Sequence, residues 1–157
     1  MSIKKLYLLI FWVLALSTIS TVSGYESVTL ISNNQKNSVT LTITDAYYTD
    51  LDDDEVLDIV SSFNLRFEHP GPHLVQLYVT LILPSGLEFS YKWNIMTRES
   101  LVHFGQIHFY DHVLEPGFYI LSIYTKLSTG GVSTGTAEFE FDPPGGSGGG
   151  DPLASMV

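Results

Sequence analysis

Apolar and polar residues alternate along much of the chain after residue 25, and a period of two predicts β-strands rather than helices. Val39, Leu41 and Ile43 alternate with threonines, and Val75 to Leu83 has an apolar residue at every second position. Short turns rich in proline and glycine, such as Pro84-Ser85-Gly86, separate these segments. About seven or eight such strands, with no helical pattern between them, predict an all-β antiparallel sandwich.

The apolar positions within the strands identify the expected core. Phe63, Leu65 and Phe67 fall on one face of their strand, with polar residues between them. The segment from Phe118 to Leu127 is almost continuously apolar, which is typical of a central strand.

The N-terminal residues have a different composition from the alternating region. Lys4 and Lys5 precede the apolar run from Leu6 to Leu16, and small and polar residues follow it. We therefore interpret residues 1–24 as a signal peptide that is cleaved before Tyr25. An uncleaved anchor is the alternative, although so short an apolar run is marginal for crossing a bilayer.

The C-terminal residues are rich in glycine and proline. The sandwich domain is expected to occupy residues 25–142, and residues 143–157 are expected to form a flexible tail. We expect Leu153 to Val157 to be too short to anchor anything.

The net charge of the chain limits the kinds of molecule that it is expected to bind. The chain has 7 basic and 17 acidic residues and a net charge of −10. The predicted signal peptide holds two of the basic residues and no acid, so its removal brings the net charge to −12. Such a surface opposes nucleic acids and anionic lipids, which bind Lys and Arg, and it attracts cations. The absence of cysteine excludes disulfides, thiol catalysis and Cys-ligated zinc.

The densest group of acids occupies residues 50–58, between two predicted strands. This segment reads Asp-Leu-Asp-Asp-Asp-Glu-Val-Leu-Asp. Acids at its first, third, fifth and ninth positions have the spacing of a calcium loop, in which the seventh residue contributes its carbonyl. The predicted metal ligands are the side chains of Asp50, Asp52, Asp54 and Asp58 and the carbonyl of Val56. Asp53 and Glu55 would supply outer charge.

Calcium is the ion that this loop favours. All the predicted ligands are hard oxygens, and an exported protein meets calcium outside the cell, whereas magnesium keeps more of its water. The alternative interpretation is a solvated acidic turn that keeps strand edges from pairing with other chains.

Two short motifs resemble known families. Leu114 to Ile123 looks like the Pro-Gly-x-Tyr-x-Leu entry to a late strand in bacterial and archaeal immunoglobulin-like surface modules, and Leu83-Pro84-Ser85-Gly86 is similar to a turn in that group. The resemblance implies an immunoglobulin-like sandwich that is secreted or displayed at the cell surface as a structural or adhesive module. The acidic loop resembles the β-hairpin calcium loops of integrin-type propeller repeats, with Glu55 where those loops have glycine.

Three other kinds of site are weaker hypotheses. A zinc site would need histidines that share a face, and His108 and His112 have the same parity but are separated by an expected turn. Exposed aromatic rings on one sheet face would form a platform for stacking sugars, although such rings more often fill a core. The aromatic candidates are Tyr78, Phe89, Tyr91, Trp93, Phe104, Phe109, Tyr110, Tyr119 and Tyr124. Hydrolysis is not expected, because the sequence has no Gly-x-Ser-x-Gly elbow.

These observations predict a secreted or cell-surface calcium-binding module without enzymatic activity, whose partner is a protein or a glycan. A carbohydrate-binding accessory module of an extracellular hydrolase and a membrane-tethered interaction domain are the alternatives.

Overall fold

The computed structural model describes residues 27–31, 38–98, 101–129, 132–143 and 152–157, with the backbone alone for 27–31. The predicted signal peptide lies outside the described residues, as do residues 144–151 of the predicted tail. The described strands are β1 (Ser27–Ile31), β2 (Val39–Thr49), β3 (Asp58–Phe67), β4 (His73–Ile82), β5 (Glu88–Thr97), β6 (Val102–Tyr110), β7 (Tyr119–Leu127), β8 (Ser133–Phe141) and β9 (Leu153–Met156).

The strands form two antiparallel sheets, which confirms the predicted all-β sandwich. One sheet has five strands in the order β1-β8-β7-β4-β5, and the other has four in the order β2-β3-β6-β9. The chain passes from one sheet to the other between β1 and β2, between β3 and β4, between β5 and β6, between β6 and β7, and between β8 and β9. Within the described ranges, no helix is long and apolar enough to cross a membrane.

The core lies between the two sheets and follows the alternation of the sequence. Phe63, Leu65 and Phe67 of β3 are buried, as are the odd-numbered apolar residues from Val75 to Leu81 of β4. Strand β7 is central, between β4 and β8, as its apolar sequence predicts. Its outer face is nevertheless open to solvent, so Ile120 and Tyr124 are exposed while the residues on either side of each are buried.

The Pro-Gly-x-Tyr segment forms a tyrosine corner at the start of β7. The hydroxyl of Tyr119 donates a hydrogen bond of 2.8 Å to the carbonyl of Glu115 and accepts one of 3.1 Å from the Glu115 N–H. The ring of Tyr119 is fully buried. These hydrogen bonds fix the chain where it passes from the four-stranded sheet to the five-stranded sheet before β7.

The last described residues differ from the expected flexible tail. Leu153–Met156 form β9, which pairs with β6 in the register Ile107↔Met156 to Tyr110↔Leu153. The side chains of Ala154 and Met156 are partly buried against the core. These four residues are therefore ordered by a neighbouring strand, a tertiary contact that glycine-rich composition does not reveal.

Candidate metal centre

The loop between β2 and β3 brings three of the predicted ligands together. Asp50, Asp52 and Asp58 each offer one carboxylate oxygen, and these oxygens all lie within 4.8 Å of one another. Calcium–oxygen distances are about 2.3–2.6 Å, so two ligands on opposite sides of one ion stand about 4.6–5.2 Å apart. The three oxygens are therefore close enough to contact a single cation.

Asp58 is the fixed member of this group. It is fully buried as the first residue of β3, and each of its carboxylate oxygens already accepts a main-chain hydrogen bond. Oδ2 accepts from Leu51 N–H at 2.7 Å, and Oδ1 accepts from Asp111 N–H at 2.9 Å. A carboxylate oxygen has two lone pairs, so these bonds leave acceptor capacity for an ion.

Side-chain carboxylates within the loop stabilise the rest of it by accepting hydrogen bonds from the loop's own backbone N–H groups. Asp50 accepts from the N–H groups of Asp54 and Glu55 at 3.2 and 3.0 Å, and Asp54 accepts from Val56 N–H at 2.8 Å. Asp53 and Glu55 have φ values of 62° and 70°, a conformation that costs a residue with a side chain about 1–2 kcal/mol. Glu55 thus has a backbone conformation that glycine adopts more readily than other residues.

The charged form of Asp52 is disfavoured by its surroundings. Its pKa is raised above 3.8 by desolvation among the neighbouring groups and then by the negative charges of Asp54, Asp58 and Asp111. A hydrogen bond with the side chain of Asp54 raises the pKa further. A carboxyl group that resists ionisation because of its neighbours gains most from a nearby cation.

The remaining predicted ligands occupy different places. Asp54 lies beside Asp52 but is not one of the three residues whose oxygens converge, and Val56 follows it on the same loop. Asp111 is a contributor that the sequence did not indicate. It is buried, follows β6 with a φ of 58°, and reaches the loop across 53 residues of sequence. No local pattern signals this contact, because it depends on the pairing of β3 with β6.

A second polar contact lies next to this region. His112 is fully buried, and its Nδ1 donates to the Tyr110 carbonyl at 2.5 Å while its Nε2 accepts from the Tyr91 hydroxyl at 2.7 Å. The rings of Phe89, Tyr91 and Phe109 meet the imidazole edge to face. Burial lowers the pKa of His112, while the hydrogen bond to Tyr110 and the charge of Asp58 raise it. We infer a neutral histidine that stabilises the packing of β5 against the crossover after β6.

The histidines do not come together as a zinc site. Among the residues that the structure describes, Asp50, Asp52 and Asp58 are the one group of three or more acids or histidines with converging ligand atoms. His73 instead stacks on Phe67 with ring centroids 4.1 Å apart, and its Nε2 contacts the His69 carbonyl at 2.9 Å.

Most of the aromatic candidates face the interior. Phe109 and Tyr119 are fully buried, and Phe89, Tyr91 and Trp93 pack against the core as half-buried rings. Tyr78 and Tyr124 are exposed side by side on the outer face of the five-stranded sheet, with centroids 5.7 Å apart and planes inclined by 51°. The ammonium of Lys92 lies 4.9 Å from the Tyr78 ring centroid.

Comparisons with family models, curated proteins and solved structures give no match to this chain. The interpretation of the site therefore depends on its own geometry and chemistry.

Proposed function

We propose that this chain is a secreted or cell-surface immunoglobulin-like module that binds calcium at residues 50–58 and has a structural, adhesive or protein-interaction role. The observation that supports the proposal best is the convergence of Asp50, Asp52 and Asp58, whose oxygens lie within 4.8 Å of one another. Further oxygens for a six- to eight-fold shell would come from Asp54, the carbonyl of Val56 and water.

The expected effect of the ion is to stiffen the connection between β2 and β3. The loop gathers several negative charges, and calcium would neutralise their repulsion, which together with the larger effect of desolvation raises the pKa of Asp52. Because Asp58 also accepts from Asp111, an ion on Asp58 would stabilise the crossover after β6 as well. At a calcium concentration one hundred times the dissociation constant, binding would add about 2.7 kcal/mol to the free energy of unfolding.

Calorimetric titration with calcium, together with thermal melts in calcium and in chelator, tests this proposal. We expect heat of binding for the natural protein and a higher melting temperature in calcium than in chelator. Asp52→Asn should weaken both effects, because it removes one of the three convergent negative charges while leaving an amide oxygen in its place. Glu138→Gln, which removes an exposed acid on β8, should retain both. Absence of calcium heat, with equal melting temperatures in calcium and chelator, would reject the metal site.

A carbohydrate-binding role is the second candidate, and the exposed Tyr78–Tyr124 pair favours it. Amides flank the pair, since Gln76 Nε2 donates to Asn94 Oδ1 at 3.3 Å and the Tyr78 hydroxyl donates to Gln76 Oε1 at 3.3 Å. Rings and amides together are the groups that stack on sugars and hydrogen-bond their hydroxyls. The inclination of 51° departs from the coplanar row that a flat polysaccharide surface would require. Retention on insoluble polysaccharide that is lost in Tyr78→Ala and Tyr124→Ala would support this role.

A membrane-tethered interaction domain stays the third hypothesis. It concerns residues 1–24, which lie outside the described part of the chain. N-terminal sequencing of the mature protein separates the cases, since a start at Tyr25 excludes the tether.

A further inference from the structure

Among the strands that the structure describes, β5 forms a long regular edge of the five-stranded sheet. It follows β4 in the sheet order and pairs with it over ten consecutive residues, from Glu88↔Ile82 to Thr97↔His73, without a register shift. It contains no proline and no glycine. Edges of natural sheets are usually interrupted by such residues, by bulges or by short length, because an open edge pairs with other chains. A long uninterrupted edge therefore indicates a surface for strand pairing.

The hydrogen-bonding direction along β5 follows from the hairpin that precedes it. Leu83 N–H donates to Leu87 O at 2.9 Å, so Leu83 and Leu87 form a hydrogen-bonded pair. Such pairs alternate along an antiparallel ladder, so the odd-numbered residues of β5 direct their N–H and C=O groups toward β4. On the far side of β4, Ser128 N–H donates to Leu74 O, in agreement with this alternation. The even-numbered residues Glu88, Ser90, Lys92, Asn94 and Met96 therefore direct their main-chain groups to the open edge.

A second copy of the chain can add its own β5 antiparallel to this edge only in certain registers. Even-numbered residues must face even-numbered residues, because these carry the available donors and acceptors. Two registers use nearly the whole strand. Centring the two-fold axis on Lys92 places this cation opposite itself, which is destabilising. Centring the axis on Trp93 instead places Lys92 opposite Asn94 and Glu88 opposite Arg98 of the second copy, twice in the dimer.

The inner face of β5 gives a further reason for the same register. Phe89, Tyr91 and Trp93 point toward the opposite sheet but are only half-buried. The edge strand β9 of the four-stranded sheet is only four residues long. With the axis at Trp93, the two Trp93 side chains meet and Tyr91 faces Ile95 of the second copy. Cross-strand pairs of two aromatic side chains, or of an aromatic and a β-branched side chain, stabilise the pairing of strands.

We infer that this protein forms a symmetric dimer through antiparallel pairing of its β5 strands about Trp93, with Glu88 of each copy opposite Arg98 of the other. The occupant is a second copy because the edge is complementary to itself in charge. Both Glu88 and Arg98 are exposed. The inference is independent of calcium, since the acidic loop belongs to the other sheet.

Sedimentation equilibrium on the purified protein and on charge-swapped variants tests the dimer. We expect the natural protein to self-associate and Glu88→Arg to raise the dissociation constant at least about tenfold, because arginine then faces arginine. Glu88→Arg combined with Arg98→Glu should return the constant to within about threefold of the natural value, since the opposite charges face each other again. Glu138→Arg changes charge equally on β8, away from this edge, and should leave the constant unchanged.

Met96→Pro tests the main-chain pairing separately. The Met96 N–H is directed to the open edge, so proline there removes a donor to the second copy and none to β4. We expect a monomer with an unchanged far-ultraviolet spectrum. A natural protein that is monomeric up to about 100 μM would overturn the dimer. If the dimer persists in Met96→Pro, it does not form through the main-chain groups of the β5 edge. If the charge swap leaves the dissociation constant unchanged, the register centred on Trp93 is wrong.

Discussion

The main-chain N–H of Asp111 donates a hydrogen bond of 2.9 Å to Oδ1 of Asp58, across 53 residues of sequence. Asp111 follows β6 and Asp58 begins β3, so this bond connects the crossover between the sheets to the acidic loop. The other oxygen of Asp58 accepts from Leu51 within the loop itself. One buried carboxylate thus holds two loops, whether or not an ion is bound.

Asp58→Ala should destabilise the fold even in chelator. The substitution leaves the N–H groups of Leu51 and Asp111 without their acceptor, and an unsatisfied buried donor costs about 1–3 kcal/mol. We expect the free energy of unfolding to fall by about 2 kcal/mol or more in chemical denaturation. Asp142→Ala, which removes an exposed acid after β8, should have little effect. Equal stabilities of the two variants would show that Asp58 does not hold the loops.

Asp52→Asn should have opposite effects in chelator and in calcium. The pKa of Asp52 is raised in the folded protein, so the folded state retains the proton to higher pH than the unfolded state does. Its contribution to stability is present below the unfolded pKa of 3.8 and is lost as the pH rises through the higher folded value. In chelator, the variant should lose this dependence and melt at or above the temperature of the natural protein at neutral pH. In calcium, the natural protein should melt at a higher temperature than the Asp52→Asn variant.

His112 should make the fold sensitive to mild acid. Burial lowers its pKa below 6.5, so the unfolded state binds a proton more readily than the folded state. Its contribution is complete above pH 6.5 and is lost as the pH falls toward the lower folded pKa. Melting temperatures recorded across this range should fall more steeply for the natural protein than for His112→Gln. Parallel curves would show that His112 titrates alike in both states.

Tyr119→Phe tests the tyrosine corner. The variant keeps the buried ring but removes the hydroxyl that donates to Glu115 O and accepts from Glu115 N–H. We expect a loss of about 1–2 kcal/mol in the free energy of unfolding. Tyr124→Phe is the matched control, because it makes the same change in the same strand at an exposed position. A loss of equal size in both variants would contradict a special role for the corner.

Gly105→Ala should destabilise the second sheet by overpacking. A Cβ at Gly105 would lie 2.5 Å from Cζ of Phe63, whose buried ring covers this position. Overpacking of this kind costs about 1–3 kcal/mol. Combining Gly105→Ala with Phe63→Leu should cost less than the sum of the two single changes, because the smaller side chain vacates the space. Additive losses would mean that the ring moves aside without strain.

Local alternation was enough to predict the sandwich and much of its core, because every second residue of a strand such as β4 must face the same way. The segment around Tyr119 was indicated only by its resemblance to a strand entry, and its hydrogen bonds to Glu115 were not predicted. Strand β9 cannot be predicted from the sequence, because four residues are too few to show a period. The strand forms only by pairing with β6.

The acidic loop was predictable in part for the same reason. The spacing of its acids is local, and three of the predicted ligands converge. The contributions of Asp111 and the buried state of Asp58 depend on the pairing of β3 with β6, which no local pattern encodes.

The bulge between Ile43 and Asp45 interrupts the register of β2, which is an edge of the other sheet. A bulge bends and twists a strand, so β2 is a poor template for pairing. Strands β1 and β9, at the remaining edges, are only five and four residues long. When two copies pair through the same edge, the assembly stops at a dimer, whereas pairing between two different edges propagates into filaments. A concentrated solution of this protein should therefore stay clear, with light scattering that does not grow with time.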